Sequence, residues 1–95
     1  VKTEARRYGS GGLIKLVARF NAGAAEHLRE MPLSEDQTLR DLEGGLVEVA
    51  ATVEDDELLR WWLLGFGRWA EVITPVALRE DIRNELRSSL DQYQA

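Results

Sequence analysis

Cysteine is absent from the 95-residue sequence, and histidine occurs once, as His27. The lack of cysteine excludes disulfide bonds, thiol nucleophiles and thiolate metal sites. A structural zinc site usually takes four cysteine or histidine ligands, so no metal site is expected. No serine–histidine–aspartate arrangement, phosphate-binding loop or dinucleotide motif occurs either. The sequence therefore predicts no catalytic residues and no cofactor, and favours a protein that acts by contact.

Long apolar runs are also missing. The longest, residues 58–66, is interrupted by Arg60 and is far too short to cross a bilayer. The first 12 residues lack the apolar segment of a signal peptide, so we expect a cytoplasmic protein without membrane contact. The formal net charge of −5 argues against the whole chain reading duplex DNA, because such domains usually carry a basic face.

The length allows one domain. Residues 1–12 show no periodicity and end in Gly9-Ser10-Gly11-Gly12, which is typical of a flexible linker. We therefore expect residues 1–12 to be a linker from a preceding domain and residues 13–95 to form the folded unit.

Hydrophobic periodicity predicts seven elements. Strands are expected at residues 13–20, 37–42, 46–53 and 69–73. Helices are expected at residues 22–31, from Asp55 or Asp56 to residue 65 or 66, and at residues 76–93. The order βαββαβ followed by a helix predicts the α+β class and a ferredoxin-like sandwich. In that arrangement two helices cover one face of a four-stranded antiparallel sheet, and the C-terminal helix is an addition.

The second predicted helix is apolar on more than one side. Its spacing directs Trp61 and Leu64 away from the sheet, and it directs five other side chains toward the sheet: Leu58, Leu59, Trp62, Leu63 and Phe66. An exposed tryptophan is a common interface residue, so Trp61 and Leu64 are candidate interface residues. Alternatively, the C-terminal helix folds over this side and buries both.

The C-terminal helix carries Arg79, Arg83 and Arg87 four residues apart, along one ridge. One interpretation is a binding strip for an anionic ligand, either a small anion or a short single strand of nucleic acid. The other is a solvated face on which Glu80 and Asp91 compensate Arg83 and Arg87. The sheet face away from the helices has no aromatic residue on the third strand, which disfavours an RNA-recognition module.

The stretch from Glu57 to Gly67, followed by Ala70-Glu71-Val72-Ile73-Thr74-Pro75 and Leu78-Arg79, resembles the C-terminal extension (WCX) of WYL-domain bacterial transcriptional regulators. The similarity extends over about residues 13–93. It implies a ferredoxin-like fold, a regulatory and dimerisation role, and a response to an effector. In this alignment Arg60 and Arg79 match arginines of the family pattern, which makes them candidate ligand contacts.

The resemblance also implies partners. The parent regulator would add a WYL domain and a helix-turn-helix domain, and DNA would be bound by the latter, which this chain does not contain. A homodimer and a nucleic-acid or small anionic effector are the further partners expected. Arg83 and Arg87 enter the candidate site from their spacing and not from the family.

Overall fold

The computed structural model describes residues 12–94. Almost all of the predicted linker at residues 1–12 therefore lies outside the described residues. The strands are β1 (Leu13–Asn21), β2 (Thr38–Asp41), β3 (Leu46–Glu54) and β4 (Ala70–Thr74), and the helices are α1 (Ala22–Glu30), α2 (Glu57–Leu64) and α3 (Val76–Gln94). The sheet has the order β2-β3-β1-β4 and every pairing is antiparallel. The predicted α+β class is confirmed, and the arrangement is consistent with a ferredoxin-like sandwich with an added C-terminal helix.

Side-chain caps fix where the first two helices begin. The Ala24 amide donates to Asn21 Oδ1 at 2.9 Å, and the Leu59 amide donates to Asp56 Oδ1 at 2.8 Å. Both acceptors lie at the N-cap, where otherwise unpaired helix amides need a partner. The second helix was expected to begin at Asp55 or Asp56, and Asp56 is its cap.

Strict alternation in β1 and β3 builds the core. Leu16, Ala18 and Phe20 of β1 are fully buried and lie in register with the inward residues of β3. The Phe20 ring packs on Trp62 and Phe66 of the α2 segment, with ring centroids 5.9 Å and 5.1 Å away. Such tilted and edge-on aromatic pairs contribute beyond their buried area, so this cluster holds α2 to the sheet.

Three residues of the first two helices differ from the prediction. Leu58 was expected to face the sheet but is 67% exposed, because it lies about 120° around the helix from the centre of the stripe formed by Leu59 and Leu63. Leu64 was expected to point away, yet it is half-buried against the core. The first helix was expected to extend to Met31, but α1 ends at Glu30 and Met31 is 78% exposed.

The loop between α1 and β2 is held to the sheet by Asp36. Its carboxylate accepts hydrogen bonds from the Ser34 hydroxyl and from the hydroxyl and amide of Thr52, the latter two at 2.6 Å and 3.0 Å. These hydrogen bonds, that from Ser34 first, hold the pKa of Asp36 well below its usual value, and the charge of Lys15 at 3.8 Å adds to the effect. The pairing of β2 with β3 begins at Thr38 and Ala50. The carboxylate of Asp36 therefore supplies the hydrogen-bond acceptor for β3 at Thr52, two residues beyond that pairing.

Helix α3 lies beside β4 and α2. Leu78 and Ile82 are buried, at 1% and 9% exposure, whereas Leu86, Leu90 and Tyr93 further along the same helix are exposed. Nineteen residues give a helix about 28 Å long. Its first half therefore belongs to the core, and its second half extends past it.

Candidate functional site

The predicted arginine ridge borders a groove between β4 and α3. β4 is an edge strand, and the Arg79 Nη1 donates to the Val72 carbonyl at 2.6 Å and to Glu71 Oε2 at 3.0 Å. Arg79 thereby gives a carbonyl of the edge strand a side-chain donor. The groove encloses about 200 Å³ and is lined by Ala70, Glu71, Val72, Arg79, Ile82, Arg83 and Leu86.

The other two ridge arginines are less constrained. Arg83 lies 3.3 Å from Glu80 Oε1, which confirms the predicted compensation on that side. Within residues 12–94 no carboxylate lies within 4 Å of Arg87, so the expected pairing with Asp91 does not form. The ridge thus has one arginine fixed to the sheet edge, one at the groove and one pointing to solvent near the helix end.

Arg60 occupies a different place. Its guanidinium lies between α2 and α3, 2.7 Å from Asp55 Oδ1 and 2.8 Å from Asp81 Oδ2, and it also donates to the Asp56 carbonyl at 2.9 Å. Burial disfavours the charge, but the hydrogen bonds to Asp55 and Asp81 outweigh it, so the pKa of Arg60 is raised. The side chain is only 15% exposed. The structure therefore places Arg60 as a link between helices, apart from the groove.

The two candidate interface residues have different environments. Trp61 is 61% exposed, so α3 does not cover it, whereas Leu64 packs against the core. Leu58, three residues before Trp61 and therefore on the same side of the helix, is exposed as well. The outward apolar surface of α2 consists of Leu58 and Trp61, and Leu58 is the member that the sequence pattern missed.

A second cavity, of about 290 Å³, lies at the end of the sheet where β1 ends and β3 and β4 begin. Its lining includes Arg19, Arg68 and Trp69, none of which was a predicted site residue. The Arg68 guanidinium lies 4.3 Å from the centre of the Trp69 ring. Arg19 is far in sequence from the other two residues, so spacing does not bring the three together. The adjacent Arg68-Trp69 pair was the one sequence signal that pointed to this cavity.

The described residues, 12–94, do not form a metal site or a membrane span. In that range no group of three or more histidine, aspartate or glutamate side chains is arranged to hold a metal ion. None of the described helices is long and apolar enough to cross a membrane.

The fold and the groove define the class: an α+β domain with a four-stranded antiparallel sheet and a C-terminal helix packed on the edge strand. The family model of the WCX domain matches residues 12–90, and the chain belongs to this family, the C-terminal extension of WYL-domain regulators. The predicted resemblance is therefore confirmed.

The chain is also similar to Protein PafC of two Mycobacterium tuberculosis strains, CDC 1551 / Oshkosh and H37Rv. Identity to each is 33% over 87 residues, which covers 92% of this chain and 27% of the relative. The chain thus spans about a quarter of the length of these curated relatives.

Proposed function

We propose that this domain is a non-catalytic assembly module of a WYL-family transcriptional regulator, and that it brings two copies of its parent protein together in a homodimer. The observation that carries the proposal is the exposure of Trp61 beside Leu58 on α2. Tryptophan is enriched among the residues that dominate interface energetics, and adjacent exposed apolar side chains often mark a contact surface.

The second half of α3 supports the same proposal. Leu86 and Leu90 are 45% and 54% exposed, and they follow the buried Leu78 and Ile82 at the same four-residue spacing. Apolar spacing that continues past the end of the core is expected where another surface packs against the helix. The domain therefore offers two apolar surfaces, one on α2 and one on α3.

The test is the association state of the 95-residue chain in sedimentation velocity over a range of concentrations. We expect a dimer for the natural sequence and a monomer for Trp61→Glu. Met31→Glu is the matched control, because Met31 is 78% exposed and receives the same new charge away from α2.

Thermal unfolding of the same variants shows whether each remains folded. A natural chain that stays monomeric at every concentration would overturn the assembly proposal for this domain. So would dimerisation that survives Trp61→Glu and a second variant, Leu90→Glu.

A second candidate function is effector binding, and the groove at β4 favours it. Arg83 lines this groove with Ile82 and Leu86, so a ligand there would meet a cation and an apolar wall together. Arg87 lies one turn further along the ridge without a carboxylate partner in the described part of the chain. This geometry suits a small anion or a short single strand of nucleic acid.

The corresponding experiment is fluorescence anisotropy of a labelled single strand at two salt concentrations. Counterion release predicts weaker binding at higher salt. Arg83→Gln combined with Arg87→Gln should abolish the signal, whereas Arg29→Gln on α1 should not. Binding that is insensitive to salt, or that survives the double substitution, would exclude the arginine ridge as the binding site.

In the parent regulator we assign operator DNA to the helix-turn-helix domain and place the protein in the cytoplasm. The net charge of −5 makes this domain a poor duplex reader by itself. Footprinting of the full-length regulator with and without this domain would test the division: protection should need the helix-turn-helix domain, and loss of this domain should weaken it through loss of the dimer.

A further inference from the structure

The cavity at the end of the sheet is lined by two arginines and by one carboxylate, that of Glu71. Arg19 comes from the end of β1, and Arg68 comes from the turn that leads into β4. Gly44 and Gly45 form another part of its wall, and both have a φ of 77°. An L side chain is strained at that φ, so the requirement for glycine also keeps this wall free of side chains.

Arg19 stands in a row of alternating charge that crosses all four strands. The register aligns Arg40 of β2 with Glu48 of β3, Glu48 with Arg19, and Arg19 with Glu71 of β4. Both neighbouring carboxylates pair with another arginine: Glu48 Oε1 lies 3.1 Å from Arg40, and Glu71 Oε2 lies 3.0 Å from Arg79. Among residues 12–94, Arg19 is left with no carboxylate within 4 Å.

Arg68 is held in another way. Its guanidinium stacks on the half-exposed Trp69 ring at 4.3 Å and has no carboxylate within 4 Å in the described residues. Stacking restrains the plane of a guanidinium while its N–H groups stay available to donate at the edge. A pair of parallel N–H donors matches the oxygens of a carboxylate or phosphate.

We propose that this cavity is a binding site for a small organic oxyanion that carries a flat ring: a carboxylate or phosphate group held by Arg19 and Arg68, with the ring against Trp69. The volume of about 290 Å³ is just below the usual range for small-molecule sites, which suits a ligand of about the size of phenyl phosphate. The site is separate from the groove at Arg83 and does not depend on the assembly role.

The first experiment is titration of the 95-residue chain with phenyl phosphate, followed by two-dimensional amide NMR. The shifted resonances should cluster at residues 19–21, 44–46 and 68–71. Arg19→Gln and Arg68→Gln should each weaken binding about tenfold, because each removes a charged hydrogen-bond donor. Arg83→Gln, at the other groove, should leave the affinity within about twofold, since its site is separate.

Two further probes separate the ring from the anion. Benzoate tests a carboxylate with the same ring, and inorganic phosphate tests the anion alone. Trp69→Ala should weaken phenyl phosphate and benzoate while leaving inorganic phosphate nearly unchanged. Equal weakening of all three probes would overturn the role of the ring.

The row of alternating charge across the four strands provides a test in which two substitutions should change ligand affinity in opposite directions. Arg40→Gln releases Glu48, which can then pair with Arg19, so ligand affinity should fall. Glu48→Gln removes a negative charge that lies opposite Arg19 on the neighbouring strand, so ligand affinity should rise. Arg29→Gln and Glu26→Gln are the matched controls, because they make the same charge changes within an ion pair on α1.

The NMR spectrum also reports folding, so loss of binding by an unfolded variant is recognised directly. The proposal is overturned if phenyl phosphate shifts no resonance near the cavity. It is also overturned if binding survives Arg19→Gln combined with Arg68→Gln, or if Arg83→Gln abolishes it. Failure of dimerisation in the assembly experiment leaves this site unaffected.

Discussion

The two halves of α3 carry the same spacing of apolar residues but have different surroundings. Leu78 and Ile82 are 1% and 9% exposed, whereas Leu86 and Leu90 are 45% and 54% exposed. A four-residue step advances 400° around a helix, so each successive residue is rotated by about 40°. The stripe therefore turns away from the core as it proceeds toward the C-terminal end of α3.

Polar contacts follow the same division. In the first half Arg79 binds the β4 edge and Asp81 binds Arg60 of α2, whereas Arg87 in the second half has no ion pair among residues 12–94. The first half is thus part of the fold, and the second half is a surface that the fold presents. A continuous hydrophobic stripe in a sequence does not by itself distinguish these two roles.

The largest expected effect comes from truncating the buried half. Leu78→Ala should lower the free energy of unfolding by about 2–4 kcal/mol, because it removes buried methyl groups and leaves a cavity. Leu90→Ala should change it by about 0.5 kcal/mol or less under monomeric conditions. Urea unfolding measures both, and similar losses for the two variants would contradict the division of α3.

The next effect concerns the link between the helices. Arg60→Gln should cost about 1–3 kcal/mol of unfolding free energy, because it leaves Asp55 and Asp81 without their charged donor. Arg87→Gln is the matched control on the exposed half and should be nearly neutral. A double-mutant cycle with Asp81→Asn tests whether the loss comes from the ion pair between Arg60 and Asp81. Additive losses in unfolding free energy would show that this contact between α2 and α3 does not stabilise the fold.

A smaller effect is expected at the opposite edge of the sheet. Because the pKa of Asp36 is lowered by folding, its stabilising contribution is complete above the unfolded-state pKa of about 4 and disappears as the pH falls through the folded-state value. Asp36→Asn should therefore be less stable than the natural chain at pH 7, with the difference shrinking in acid.

Chemical denaturation of the natural chain and Asp36→Asn at pH 7 and near pH 2 measures that difference. Leu78→Ala serves as the reference, because its loss arises from apolar packing and should persist over this pH range. A gap between the natural chain and Asp36→Asn that widens in acid would reverse the sign and refute the assignment.

The smallest effect is in local opening. Amides of residues 88–93 should exchange with solvent much faster than those of residues 79–83, since few contacts hold the end of the helix. Hydrogen exchange followed by NMR at low protein concentration gives the comparison. At concentrations where the chain dimerises, added protection confined to residues 86–93 would place that half of α3 in the interface.

Much of the fold could be predicted because it rests on local chemistry. Alternation in β1 and β3 predicts which side of the sheet is buried, and Asn21 and the acidic residues before α2 predict where two helices begin. The faces of α2 were harder, because Leu58, Trp61 and Leu64 are all apolar. Periodicity gives the direction of each side chain around a helix but not the positions of the neighbouring elements. The positions of those elements decided that Leu64 is half-buried.

The candidate site was less predictable, because the sequence pattern does not give the contacts that each arginine makes with other elements. The spacing of Arg79, Arg83 and Arg87 predicts a common ridge, yet Arg79 is fixed by a carbonyl of an edge strand and Arg83 by its own helix. Arg60, a candidate ligand contact from the family pattern, links two helices through Asp55 and Asp81. The cavity at Arg19 and Arg68 could not be found from spacing, because 49 positions of chain separate the two residues.

The sequence by itself determined the order of the elements, the buried faces of β1 and β3, and membership of the WCX family. These follow from nearest-neighbour geometry: two-residue alternation, helical periodicity and side chains that hydrogen-bond to nearby backbone. The tertiary structure alone decided which apolar residues of α2 and α3 stay exposed and which arginines lack a carboxylate. Those outcomes depend on where one element ends against another, and the energy of a charge or an apolar surface depends on neighbours that are distant in sequence.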